Sequence, residues 1–135
     1  IVAELKRPDR KFTLKINDEN TDVVMSFAML QEIMKVIPSP ERIADLLITD
    51  FYLREYVARR LLTGRKTVKS DDELIDLFAL DVDDDALDDM LLWVTDHVLY
   101  FFTSTAEKSL QLGSRYGEKI QNLTQSVPSP TGSPD

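Results

Sequence analysis

The residues of this chain whose types could do chemistry are clustered acids, one histidine and a short glycine–lysine run, and each implies a definite reaction or ligand. Asp81-Val82-Asp83-Asp84-Asp85 alternates carboxylates as a calcium loop does, because a hard divalent cation takes several carboxylate oxygens. The pattern then breaks: Ala86 stands where the sharp turn needs glycine, and Leu92 where a bidentate glutamate belongs. Asp84, Asp85, Asp88 and Asp89 have the right type for general acid–base work, but that chemistry needs a pocket that drives two carboxyl pKa values apart. No pocket-forming pattern surrounds them, so they read as a solvated, helix-capping acidic face suited to docking a basic surface.

Thr95-Asp96-His97 places an acid beside a base. Adjacent helical residues point about 100 degrees apart, so Asp96 cannot orient His97 as a triad acid does, and no serine sits in a Gly-x-Ser-x-Gly turn. His97 precedes the apolar Val98 and reads as a structural histidine. Gly64-Arg65-Lys66-Thr67 has the ending of a phosphate-binding loop, but Arg65 separates glycine from lysine and no earlier glycine precedes it. It reads as a helix C-terminus whose basic side chains complement the dipole. Cysteine is absent and His97 is alone, which removes disulfides, thiol nucleophiles, iron–sulfur clusters, Cys-ligated zinc and multi-histidine metal centres. The sequence therefore predicts no catalytic, cofactor-binding or metal-binding residues and a non-enzymatic protein.

The elements that must position these residues belong to one domain with tails, since 135 residues suffice for one core and not for two. The net charge of −8 is unevenly spread. Residues 1–69 carry 13 Lys/Arg against 10 Asp/Glu, and residues 70–135 carry 3 against 14. Between Arg54 and Lys69 lie six basic residues and one acid, and between Asp71 and Asp96 eleven acids and no Lys or Arg. Net acidity argues against general nucleic-acid binding, which depends on phosphate neutralisation. The longest apolar run, near Met90 to Phe102, is broken by Asp96 and His97 and is too short for a membrane span. No secretion signal is read, and a soluble, intracellular protein is expected.

Phe12, Leu14 and Ile16 alternate with Lys11, Thr13 and Lys15, which predicts a strand, a turn at Asp18-Glu19-Asn20 and a returning strand over 21–25. Ser26 caps a helix with Phe27, Leu30, Met34 and Ile37 or Val36 on its apolar face, stopped by Pro38. Ser39-Pro40-Glu41 opens a second helix, and a third runs from Asp50 to Thr63 with Phe51, Leu53, Val57, Leu61 and Leu62 inward and Arg54, Arg59 and Arg60 outward. Ser70-Asp71-Asp72-Glu73 has the form of a capping box before a short helix with Leu74, Ile75, Leu77 and Phe78. From Asp83 the spacing of Leu87, Met90, Leu91, Val94, Val98, Phe101 and Phe102 is helical. Leu112, Tyr116, Ile120 and Leu123 continue at helical spacing despite Gly113 and Gly117. The fold class is mainly α: a compact helical domain with a short N-terminal β-hairpin over 1–105, an amphipathic C-terminal helical arm over 106–124 and a flexible Pro/Ser/Gly tail over 125–135.

Phe12-Thr13-Leu14-Lys15-Ile16, Pro38-Ser39-Pro40-Glu41-Arg42, Arg54-Glu55-Tyr56-Val57-Ala58-Arg59-Arg60-Leu61-Leu62 and the acidic helix ending in Tyr100-Phe101-Phe102 follow one another in an order that resembles the tail assembly chaperones of long-tailed, lambda-like bacteriophages. The resemblance spans roughly residues 3–124 and carries no catalytic motif. It implies a small helical protein of the host cytoplasm that multimerises and binds the phage tape measure protein, keeping it soluble until the tail tube forms around it. It also implies a frameshifted longer form as a further partner, while the net acidity and the lack of a long apolar run lead to the expectation of neither a nucleic-acid nor a membrane partner. The residues suggest two surfaces for such a role. Arg54, Arg59 and Arg60 are expected to meet Asp84, Asp85, Asp88 and Asp89 of a neighbouring copy, and Trp93, Tyr100, Leu112, Tyr116, Ile120 and Leu123 to contact the client. A second reading of the same charge pattern is an acidic helical adaptor for a basic protein, which predicts salt-sensitive binding with little preference for apolar clients.

Overall fold

A computed structural model describes residues 6–64 and 68–126 of the chain. The tail from Val127 onward, and Arg65, Lys66 and Thr67 of the glycine–lysine run, lie outside the described residues. The fold is mainly α, with a two-stranded antiparallel hairpin near the N-terminus and a long C-terminal helix. The described residues fall into two units, divided between Phe101 and Phe102.

In the first unit, strand β1 (Lys11–Ile16) pairs with β2 (Glu19–Val24), Thr13 opposite Asp22 and Leu14 opposite Thr21. The turn is Asn17–Asp18, one residue earlier than the composition predicts, and both residues have positive φ, 53° and 64°. Asparagine and aspartate tolerate that region, and a two-residue loop with both φ positive matches the twist of the strands it joins. The hairpin is not left alone. Asn17 donates its backbone N–H to the Asp81 carbonyl and accepts from the Asp81 N–H through its side chain, at 2.9 and 2.8 Å, while Ile16 bridges to Val82.

Helix α1 (Phe27–Val36) starts on Ser26, whose hydroxyl accepts from the Met29 N–H at 3.1 Å. Its buried face is Met29, Leu30 and Ile33, rotated from the predicted Phe27–Met34 stripe, and Phe27 is exposed. After a 3-10 turn over Pro40–Arg42 comes α2 (Ile43–Thr49), with Ile43 and Leu47 inward. Helix α3 (Phe51–Thr63) is capped by Asp50, which accepts from the Leu53 N–H, and ends at Gly64 with φ of 84°.

The expected helix after Ser70 does not form. Asp71–Glu73 and Leu77–Ala79 are single 3-10 turns, the Ser70 hydroxyl makes no cap bond, and the Glu73 carboxylate accepts from the Lys69 N–H. Arg59 is the physical reason. Its guanidinium donates to the carbonyls of Asp71, Leu74 and Ile75, which an α-helix would need for its own ladder.

Helix α4 (Asp84–Ser126) runs through Gly113 and Gly117, so the arm is a continuation of the acidic helix and extends past position 124. Met90, Leu91, Val94 and Val98 join Leu14, Val23, Ile33, Ile43, Val57 and Leu61 in one core. Each fully buried aliphatic side chain of that set contributes on the order of 1.5–3 kcal/mol.

Candidate functional site

The charge complementarity visible in the sequence is used largely inside the chain. Arg54 pairs with Asp88 across α3 and α4. Arg59 is held by the three carbonyls of the 71–75 segment, its Nε 2.9 Å from the Ile75 oxygen. Arg60 is only 5% exposed, pairs with Glu32 of α1 and donates from Nη1 to the Gly64 carbonyl at 2.7 Å. The outward-facing arginine set predicted from periodicity is thus corrected: a guanidinium on a flexible stem reaches partners that lie 28 and 34 positions away in sequence, or the backbone of the next segment. Asp84, Asp85 and Asp89 remain exposed at the start of α4, and Leu92 and Asp96 lie beside them at the surface. Their exposure gives no enclosed site for acid–base chemistry.

Trp93 belongs to the core rather than to a client surface. It is buried, donates Nε1–H to the Asp9 carbonyl at 2.7 Å and lies 5.6 Å from the Phe12 ring. His97, one turn on, meets the edge of Trp93 at 4.9 Å and uses the same carbonyl, Nε2 at 2.8 Å. A carbonyl only accepts, so Nε2 carries the proton. Burial lowers the His97 pKa below its ordinary 6.5, against the opposing pull of the Asp9 carbonyl and the Asp96 charge. Tyr100 is half-buried, with the Arg7 guanidinium over its ring. Among the described residues, no group of three His, Asp or Glu side chains is placed to hold a metal ion, and no helix is long and apolar enough to cross a membrane.

In the second unit, every residue from Thr105 to Leu123 except Gly117 is exposed. Leu112, Tyr116, Ile120 and Leu123 are therefore at the surface, and Leu110, which the helical stripe leaves out, is 75% exposed. Lys119 lies over the Tyr116 ring at 5.3 Å.

A further apolar feature sits in the first unit, between α3 and the 77–87 segment. It is a groove of about 380 Å³ floored by Ala58, Leu87 and Leu91 and lipped by Phe51 and Phe78, which are 76% and 98% exposed. Sequence reasoning placed Phe51 in the core and Phe78 in a helix, and missed both as surface groups. The signal was the surplus of apolar residues around 74–82, more than a one-turn element can hide.

Comparison with protein-family models, with curated proteins and with solved structures gives no match for this chain.

Proposed function

We propose that this chain is a non-enzymatic tail assembly chaperone of a long-tailed phage, which binds the tape measure protein in the host cytoplasm and keeps it soluble, acting as a multimer. The observation that carries the reading is the surface of the second unit. Leu112 and Tyr116 stand exposed one turn apart on one helical face, and Leu110 stands exposed on another face of the same stretch, apolar surface that suits contact with a partner. An amphipathic helix recognises another helix through such i, i+4 anchors, and a long helical client offers many equivalent places to dock. The order of segments resembling the tail assembly chaperones supports the same assignment. The strong net negative charge favours solubility of a complex that would otherwise aggregate. Arg54, Arg59 and Arg60 are engaged within the chain, so multimerisation is assigned to other groups.

The test is coexpression of a tape measure protein with this chain, followed by co-elution on a sizing column. The wild-type chain should raise the soluble yield of the client severalfold and elute with it. Replacing Leu110, Leu112 and Tyr116 together by serine should abolish the rescue while the first unit unfolds at an unchanged temperature. Rescue that survives this triple change, or a wild-type chain that rescues nothing, overturns the proposal. A second reading is favoured by the exposed acids at the start of α4: an adaptor that holds a basic protein by charge. It predicts binding that weakens steeply with salt and ignores the triple serine change.

A further inference from the structure

We infer that the groove between α3 and the 77–87 segment is a docking site for a basic, amphipathic helical segment of another protein. The inference goes beyond the chaperone reading, since it concerns the first unit and holds whichever protein supplies the segment.

The floor is aliphatic, Ala58, Leu87 and Leu91, and the two lips are phenyl rings held almost wholly in water. Two exposed phenyl rings beside an aliphatic trough form a contiguous apolar surface of the kind that marks a protein interaction site. The size, about 380 Å³, suits a few apolar side chains presented together. The occupant is not a small polar molecule. Such sites carry converging polar groups, whereas every buried side-chain nitrogen and oxygen among the described residues already has a partner and none waits in the groove.

The rim selects the charge of the partner. Arg54, the one cation among the described residues that line the groove, is paired with Asp88. Glu55 and Asp84 face solvent at the rim, Asp76 and Asp81 flank the lip segment, and the sequence has no Lys or Arg from Asp71 to Asp96. An apolar anchor with flanking Lys or Arg therefore matches floor and rim together, and an acidic segment is repelled. Residues 127–135 of the chain do not supply such a segment, since they contain no Lys or Arg. A second copy fits less well: its exposed stretch over 105–123 offsets Lys108, Arg115 and Lys119 with Glu107 and Glu118, and two chains of net charge −8 repel each other.

The probe is a fluorescein-labelled synthetic helical peptide with leucines at i, i+3, i+4 and i+7 and lysines on the other positions. Two controls accompany it, one with glutamate for every lysine and one with the same composition shuffled to destroy the apolar stripe. Anisotropy with the full chain should show saturable binding of the basic amphipathic peptide and at least about tenfold weaker binding of both controls. Phe51→Ser with Phe78→Ser should weaken it about tenfold, as should Glu55→Lys alone. All three positions are exposed, so thermal unfolding should be unchanged. Amide shift changes should cluster at Phe51–Ala58 and Leu77–Leu87. The inference is overturned if the shuffled peptide binds as well, if the phenylalanine changes have no effect, if the shifts cluster at 110–123 instead, or if no peptide binds. Failure of the tape measure coexpression would leave these outcomes untouched, because the peptide assay contains no phage protein.

Discussion

Arg60 and His97 show how a polar residue is accommodated in this core. The Arg60 guanidinium is withdrawn from water and satisfied by Glu32 and the Gly64 carbonyl, so it joins α1 to the end of α3. Arg60→Met should remove that link at a cost of about 2 kcal/mol. Arg60→Glu should cost more, because two carboxylates would then meet at one site. Chemical denaturation followed by circular dichroism measures both, and an Arg60→Glu chain as stable as wild type would refute the assignment. His97 sets a pH response. Burial favours its neutral ring, so the folded-state pKa lies below 6.5 and the unfolded chain takes up a proton first as the pH falls. Its contribution is complete above about pH 6.5 and is lost as the pH drops from there towards the lower folded-state value. Between pH 7 and pH 5 the wild-type chain should lose stability, and His97→Gln, which keeps an N–H for the Asp9 carbonyl, should lose less. Equal losses would show that other groups carry the slope.

Among the elements, α4 has an unusual feature in its second unit. Gly113 and Gly117 lie in its interior, and a methyl group added at either would meet nothing within 4 Å. Glycine at such a position weakens a helix by about 1 kcal/mol relative to alanine. Gly113→Ala and Gly117→Ala should each raise amide-exchange protection around 105–123 about fivefold, which hydrogen-exchange mass spectrometry resolves by segment. Local signals of this kind were the legible part of the fold. Ser26 caps α1 as its position predicts, Asp50, read as the first residue of the third helix, is its cap, and Pro38 and Gly64 end those helices, because capping involves only three or four neighbouring residues. Ser70 failed as a cap because the decisive donor, Arg59, is eleven positions away and was itself misread as outward-facing. Phe51 failed for a related reason: helical spacing alone placed its ring inward, whereas its place in the first turn of α3 puts that ring on the lip of a groove. Trp93 was misplaced because the group that accepts its N–H is a backbone carbonyl 84 residues earlier. The exposed stripe of Leu112, Tyr116, Ile120 and Leu123 was readable because a solvent-facing helix preserves its period without tertiary help.

For the whole molecule, the division at Phe101 separates a unit with a continuous apolar core from one in which residues 105–123, Gly117 apart, are exposed. A helical stretch without buried apolar contacts opens locally at low cost. Limited trypsin digestion should therefore cut after Lys108, Arg115 and Lys119 well before Arg54, Arg59 or Arg60 in α3, as mass spectrometry of early fragments would reveal. Early cleavage inside α3 would contradict it. The tethering of Asp9 by Trp93 and His97, and of Asn17 by Asp81, also has a consequence for synthesis on the ribosome. The hairpin is made before the groups that anchor it, which are 64 to 88 residues downstream. At ordinary elongation speeds of 5–20 residues per second, the Asp9 carbonyl waits roughly 4 to 17 seconds for the indole N–H that donates to it. For that interval the nascent chain presents an unclosed β-edge, so slowing translation between codons 20 and 90 should lower the yield of folded protein, and refolding of the finished chain should be free of that penalty.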